Sequence, residues 1–456
     1  MDRKKIRHDL LLHSIKGISI LFTVGLFIGT LILYCPLERS LLLLISAAYT
    51  VMFFLFVKIY DSLSISVSKL SDLIYSQLLA VFLSDICGYV LLSLAVEKPA
   101  DVLTVMLCFL CQIVFAAVWS VCSRKLYFTL FKAKKTLVIG NDPSAMKKLI
   151  SENGLDNKFD VVRTMCVSEC MNESFTLEGI EAVFLTDIHS HERNCILKKC
   201  VAENVSAYIV PRIGDILMSS AETIHMLHLP MAYVGDHEPT IEYMFLKRLT
   251  DIVFSAVMLL LLSPMMLIVS ICIKATDGGP VFYRQQRLTY NGKVFSMMKF
   301  RSMRIDAEKD GIARLSTGTC DERITRIGRF IRRFHIDETP QLVNILRGEM
   351  SLIGPRPERP EIAAQYEESM PEFRLRLRVR AGLTGYAQVY GKYNTNPYDK
   401  LKMDLLYIAN RSIKNDLNIL LATVKVLLQS ESTDGVEVGH ITADNDRTST
   451  CKGQQI

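Results

Sequence analysis

Apolar residues crowd the first third of the chain into four runs, at about 15–34, 41–60, 78–96 and 102–122. Each run is about 20 residues long. As a helix rising about 1.5 Å per residue, that covers a hydrocarbon layer about 30 Å thick. Four membrane-crossing helices are therefore expected. Asp85 is the one acid within the runs, and it is expected to face a neighbouring helix rather than lipid. The first run is too long for a cleavable leader, and no small-residue cleavage site follows it.

From residue 135 the pattern changes to short buried runs alternating with helical stretches. Strands are expected at 136–140, 161–167, 182–186 and 207–210, and helices at 144–152 and 192–203. Such alternation predicts a parallel, Rossmann-like α/β domain. The loop after its first strand, Gly140-Asn141-Asp142-Pro143, has one glycine where a dinucleotide fingerprint needs three. Asp142 would repel a pyrophosphate and Pro143 removes a donor, so a structural or regulatory role is expected for this domain.

A fifth apolar run covers 252–273, behind Lys247, Arg248 and Asp251, with Ser263-Pro264 at its centre. Proline inside a helix removes a hydrogen bond and clashes with the preceding turn. Broken there, the run becomes two arms of about 16 Å, each reaching about half the hydrocarbon depth. The serine can satisfy a freed carbonyl. Kinked helices also span membranes, so geometry leaves both paths open. A re-entrant helix-break-helix over 250–273 is the preferred reading, because a crossing would carry Arg284, Arg287, Lys293, Lys299, Arg301 and Arg304 outside.

Beyond it, residues 323–334 read as an amphipathic helix, with Ile324, Ile327, Ile331 and Phe334 on one face and Arg323, Arg326, Arg329 and Arg333 on another. A solvated basic face and a face lying on anionic headgroups both fit it. Asp337 and Glu338 follow. Pro340 suits a first helical turn, Thr339 is expected as its N-cap, and Gly348 supplies a stop. For two acids in isolation, ordinary helix capping is the simpler explanation.

Charge sets the orientation. The net charge is +6, and basic residues gather before the first run, between the second and third, and after the fourth. The positive-inside rule puts both ends of the bundle in the cytoplasm. Twelve cysteines show no disulfide framework, as a reducing compartment requires. The C-x-x-C of Cys108 and Cys111 lies inside the fourth run with no second pair in reach, which argues against a metal site. The segments 279–287 and 293–303 hold cations and aromatic residues but no acid. A single-stranded nucleic-acid platform and a diphosphate site would both look like this. Pro355-Arg356-Pro357 presents an arginine on a stiff backbone, suited to phosphate or a nucleobase edge.

Together these residues closely resemble the bacterial sugar transferase family, the monotopic phosphoglycosyl transferases. The resemblance runs from Lys247 to about Leu428. It rests on Lys247-Arg248-x-x-Asp251, on Ser263-Pro264, and on Lys299-Phe300-Arg301-Ser302-Met303. Asp337-Glu338-x-Pro340-Gln341-Leu342, Pro355-Arg356-Pro357, Leu383-Thr384-Gly385, Ala387-Gln388-Val389 and the spaced Asp404, Tyr407 and Asp416 complete it. The chain departs from the pattern at Ala381, where proline is usual, and at Thr289, where glycine is frequent. Altered loop stiffness, with activity kept, is expected from both.

The resemblance implies a large-subclass enzyme that transfers hexose-1-phosphate from a UDP-sugar to undecaprenyl phosphate. Asp337 would be the nucleophile, Glu338 the Mg²⁺ ligand, and Lys299, Arg301, Arg332 and Arg356 the phosphate clamp. Pro355 and Pro357 would stiffen the loop, and Asp404 is a further site acid. Asp416 is read as a helix cap. A carboxylate about 4 Å from one phosphate charge is opposed by roughly 4 kcal/mol at an effective dielectric of 20, about a thousandfold in rate, so neutralisation is required.

The expected organisation is a four-helix transmembrane bundle (1–123), the α/β domain (124–240), a mainly α-helical catalytic domain (241–429) and a disordered tail (430–456). The expected address is the bacterial cytoplasmic membrane with the catalytic domain on the cytoplasmic side. Lipid of that membrane is an expected partner and nucleic acid is not. The resemblance admits a homodimer, for which no residue pattern speaks. A membrane-anchored sensor and an inactive paralogue regulating polysaccharide export are the alternatives.

Overall fold

The computed structural model describes residues 3–34, 38–171, 175–226, 228–235, 239–304, 323–391 and 395–427. The expected tail, 430–456, lies outside them. The chain divides into two compact units, Met1–Val210 and Pro211–Ile456.

The first unit opens with α1 (Arg3–Tyr34), α2 (Arg39–Ile59), α3 (Leu70–Ala95) and α4 (Val102–Leu130). Helix α1 packs on α2 and α4, and α3 packs on the same two. Asp85 is buried among them and accepts the Tyr49 hydroxyl at 2.7 Å, so it does face a neighbouring helix. Gln112 donates to the same hydroxyl and to the Thr23 carbonyl oxygen. Pairing of this kind is what a polar group away from water requires. Cys108 is buried and Cys111 exposed, both as free thiols.

The chain continues through β1 (Lys134–Gly140), α5 (Pro143–Glu152), β2 (Phe159–Met165), α6 (Val167–Cys170), β3 (Ala182–Thr186), α7 (Ser190–Ala202) and β4 (Ser206–Ile209). The four strands are parallel in the order β2-β1-β3-β4. Leu137 and Ile139 pack on one side of this sheet and Val138 on the other. Both faces are therefore covered, the usual condition for a parallel sheet. Asp142 caps α5 by accepting the Ala145 N–H.

The second unit begins with α8 (Ile213–Ser219), the hairpin of β5 (Glu222–Met226) and β6 (Leu229–Tyr233), and α9 (Ile241–Asp277). The antiparallel pair β7 (Phe282–Leu288) and β8 (Val294–Phe300) comes next, then α10 (Arg326–Arg333) and α11 (Gln341–Arg347). After β9 (Ser351–Ile353) come α12 (Pro360–Ser369), a 3₁₀ stretch at Pro371–Arg378, and β10 (Gly382–Thr384), which pairs with β9 in parallel. Helices α13 (Tyr386–Tyr390), α14 (Pro397–Ala409) and α15 (Ile413–Leu427) end the described chain. One core joins Met297, Leu342, Ile345, Leu352 and Tyr407. A second joins Ile213 and Ile216 of α8 to Phe373, Leu401 and Leu405, which ties α8 to this unit.

Helix α9 corrects one expectation. It runs through Pro264 as one helix, where a break had been expected at Ser263-Pro264. Pro264 cannot donate to the Leu260 carbonyl four residues back, and the Ser263 hydroxyl does so instead at 2.8 Å. The freed acceptor is satisfied locally, so the helix need not end. Counting α9, five described helices are long and apolar enough to cross a membrane. Met258, Leu259 and Leu262 pack against the first core, while Met266, Val269 and Ile273 pack with Phe300 and Ile331. Leu260, Leu261, Leu267, Ile268 and Ile271 remain exposed.

Candidate active site

Three side chains at the start of α9 fix that helix to the elements that carry the two acids. Lys247 reaches Asp416 on α15 at 2.8 Å and the Tyr407 hydroxyl at 3.1 Å. Arg248 donates to the carbonyl oxygens of Ile345 and Leu346, at the C-terminal end of α11, where helical carbonyls lack partners. Gly348 then ends α11 at φ 83°, a conformation suited to glycine. Asp251 accepts the Ser351 hydroxyl and the Leu352 N–H at the start of β9. Asp416 also accepts the Tyr243 and Tyr407 hydroxyls, so it anchors α9 as well as standing in the first turn of α15.

A fourth polar group sets β8. Asn344 of α11 is fully buried; its carbonyl oxygen accepts the Met298 N–H and its amide donates to Ser296 and Glu349. This bridge fixes the backbone of β8 one residue before Lys299.

Asp337 and Glu338 lie in a 3₁₀ turn, Ile336–Glu338, that leads straight into α11. Thr339 is therefore not an N-cap: it is helical itself (φ −58°, ψ −31°), and its hydroxyl bonds back to Ile336. The tight turn overrides the usual extended preference of a residue before proline.

The two carboxylates have different partners. Glu338 Oε1 accepts from Lys299 Nζ at 2.7 Å and from Arg356 Nη2 at 3.0 Å. Burial acts against its ionisation, but Lys299 and Arg356 outweigh burial and hold its carboxyl well below the usual carboxylate range. Asp337 is 8% exposed. Burial, and then the charge of Glu338, push its pKa up to about 6 against the pull of Lys299, Arg332 and Arg356. The cations thus serve Glu338 first, and Asp337 is left as a desolvated, more basic carboxylate. Groups with such opposed environments side by side are a mark of functional sites.

Arg356 is half exposed, and its Pro355-Arg356-Pro357 loop is held from behind. The Arg376 guanidinium donates to the Arg356 carbonyl oxygen at 2.9 Å and to Asp404 at 2.7 Å. Arg287 donates to the Pro357 carbonyl oxygen. Asp404 is thus placed behind the loop, in contact with Arg376. Burial raises its pKa to about 6 against the pull of that arginine. Arg332 lies in the last turn of α10, with Nη1 buried and unbonded among the described residues. Arg301 is buried just past the end of β8, its N–H donating to the Val281 carbonyl oxygen.

Sequence reasoning missed Asn344 and Arg376. Nothing local marks Arg376 among the alternating Arg374, Arg378 and Arg380; only its burial sets it apart. Arg376 and Asp404 are both almost fully buried, and Asp404 is the nearer of the two carboxylates on Arg376, with Glu358 at 3.6 Å, so its removal leaves a buried charge under-compensated. Asp404→Ala is expected to cost about 3 kcal/mol or more of stability, read as a fall in the thermal unfolding midpoint. An unchanged midpoint would contradict this support role.

Residues 242–430 match a family profile described as bacterial sugar transferase. Over 235 residues the chain is 35% identical to UDP-N-acetylgalactosamine-undecaprenyl-phosphate N-acetylgalactosaminephosphotransferase of Aeromonas hydrophila, covering 51% of this chain and 54% of that one. It is 42% identical to undecaprenyl-phosphate glucose phosphotransferase of Komagataeibacter xylinus, over 39% of this chain and 35% of the other. A Bacillus subtilis protein named putative undecaprenyl-phosphate N-acetylgalactosaminyl 1-phosphate transferase is 44% identical over 33% of this chain and 87% of its own. The chain spans about half the length of the first relative, or less in the case of the second.

Proposed function

The chain belongs to the bacterial sugar transferase family, and on that premise we propose that it transfers a sugar-1-phosphate from a UDP-sugar to undecaprenyl phosphate, releasing UMP. The observation that carries this reading is the pairing of a buried, basic Asp337 with a Glu338 that takes the cations. In the proposed first step an Asp337 carboxylate oxygen attacks the sugar-linked phosphorus. The bond to the UMP oxygen breaks, UMP departs with the electron pair, and an aspartyl phosphosugar remains. In the second step a phosphate oxygen of undecaprenyl phosphate attacks the same phosphorus and returns Asp337 as a carboxylate. This commits the polyprenyl diphosphate sugar to polysaccharide assembly.

Each group has a physical task in this scheme. Lys299, Arg301, Arg332 and Arg356 offset the repulsion between carboxylate and phosphate, and fixed cations in a water-poor site stabilise charge building on phosphoryl oxygens. The prolines flanking Arg356, with Arg376 and Asp404 behind, keep its guanidinium in register. Among the described residues no group of three metal-ligating side chains occurs. Mg²⁺ does not need one, since it is commonly held by one or two carboxylates together with substrate phosphates and waters. Glu338, beside Asp337, is the proposed ligand, and the ion would neutralise phosphate charge when bound.

The proposed address is the inner membrane, with the site on its cytoplasmic face. There a cytosolic nucleotide-sugar can meet a phosphate carried on a membrane-embedded chain. Both halves of α9 pack on the unit that carries the two acids, which suits a helix that anchors the site at the membrane surface. Its exposed leucines and isoleucines would face lipid. The exposed Phe330 and Phe334 of the α10 segment, beside Arg329 and Arg333, suit the headgroup layer.

The reading is tested by UMP release from a panel of UDP-hexoses and UDP-N-acetylhexosamines with Mg²⁺ and undecaprenyl phosphate. One sugar nucleotide should support turnover, and absence of UMP with every member would overturn the reading. A pH profile follows from Asp337. Only its carboxylate can attack, and its pKa is raised, so kcat/KM should rise as pH passes upward through about 6 and level off above. A fall placed near pH 4 would indicate an ordinary, solvated carboxylate.

A further inference from the structure

His335 stands two residues before Asp337, with φ 54° and ψ 21°. The left-handed region is disfavoured for residues with a Cβ, and glycine or asparagine occupies it with least strain. The backbone has a clear use for this conformation. The His335 N–H donates to the Arg332 carbonyl oxygen, and the His335 carbonyl oxygen accepts the Glu338 N–H. The residue thereby joins the end of α10 to the turn that carries both acids.

The side chain adds something this junction does not need. Imidazole Nδ1 is buried and has no hydrogen-bond partner among the described residues. The ring lies within electrostatic reach of Glu338, Arg356 and Lys299. Buried polar nitrogens in folded proteins are nearly always paired, and one that is not calls for an explanation in what the site binds. Strained backbone conformations also gather at ligand-binding positions. Since two cations share the neighbourhood, the missing partner is best supplied by an anionic oxygen.

We propose that His335 is a substrate-binding residue, its Nδ1–H donating to an oxygen of the sugar-linked phosphate of the bound nucleotide-sugar. This rests on the reaction proposed above. It assigns a role to a residue outside the motif residues that carry the family resemblance. The contact is present in the bound complex and is not confined to the transition state, so its loss should appear mainly in KM.

The test compares His335→Gly with His335→Asn in the full-length protein. Glycine keeps the left-handed backbone and removes the ring. Asparagine also tolerates that backbone, and its amide nitrogen falls close to the Nδ1 position. A hydrogen bond to a charged group corresponds to a factor of about 10 to 100 in binding. The glycine variant should therefore lose about 10- to 100-fold in kcat/KM, carried by KM for the UDP-sugar, and the asparagine variant should recover most of that loss. If the two variants behave alike, both near wild type or both impaired, the assignment fails. Should the glycine variant not fold, His335→Ala replaces it with the same expectation. Wild-type UMP release separates the two levels. If it is absent the reaction itself is wrong, and if it is present with matched variants only the role of His335 is.

Discussion

Asp337→Asn is expected to lower UMP release by about 10⁴-fold or more, the scale seen when an enzyme loses its covalent nucleophile. An amide oxygen carries no negative charge and cannot form the aspartyl phosphosugar. The same substitution should leave the fold intact and can even stabilise it. Burial raises the pKa of Asp337 in the folded protein, so folding favours its neutral form. Ionisation above about pH 6 therefore weighs against the native state, and a neutral isostere removes that burden. Thermal unfolding at pH 8 should give a midpoint equal to or above that of the wild type. A much lower midpoint would mean that Asp337 holds the turn together and that the loss of activity is structural.

Glu338→Gln should act in the opposite direction on stability. Its carboxylate is the shared acceptor of Lys299 and Arg356, and the Lys299 contact is largely shielded from water. A glutamine oxygen can still accept both hydrogen bonds but offers no charge to either cation. The pKa of Glu338 is held low in the folded state, so its contribution to stability is present above the ordinary glutamate range and lost only on strong acidification. At neutral pH the variant forfeits that contribution, and its midpoint should fall. Activity should drop by about 10³-fold, the scale of a lost electrostatic group at a charged transition state, and its dependence on Mg²⁺ should weaken. A variant with full Mg²⁺-dependent turnover would remove Glu338 from metal binding. Opposite stability shifts at adjacent acids would be hard to obtain from damage to the turn alone.

What could be read along the chain was whatever the chemistry keeps local. The apolar runs, the α/β alternation and the Asp337-Glu338 pair are each contained in a short window. Lys299 and Arg356 belong to such windows too, and they meet at one oxygen of Glu338. The residues that hold these pieces in place pair across long separations that no window contains. Lys247 finds Asp416, Arg248 finds the end of α11, and Arg376 finds Asp404. Two local rules were overridden. Thr339 is helical because a 3₁₀ turn precedes it, and Pro264 does not end α9 because Ser263 bonds the carbonyl that the proline leaves free.

The two departures from the family pattern are in direct contact. The Ala381 N–H, which a proline would lack, donates to the Thr289 hydroxyl oxygen, which a glycine would lack. The same hydroxyl donates to the Glu349 carbonyl oxygen. Each residue supplies a partner for the other, so this corner of the loop is satisfied without either usual residue. Read singly, the two positions gave no sign of this.

The proposed mechanism is decided by what happens when the acceptor is withheld. Full-length protein in a lipid nanodisc lacking undecaprenyl phosphate would be incubated with its UDP-sugar and Mg²⁺, then digested and analysed by mass spectrometry. A sugar-phosphate adduct on the peptide containing Asp337, with about one UMP released per protein molecule, is the predicted result. An unmodified peptide and no UMP until the acceptor is added, followed by normal turnover, would contradict the account and indicate direct transfer between the two substrates.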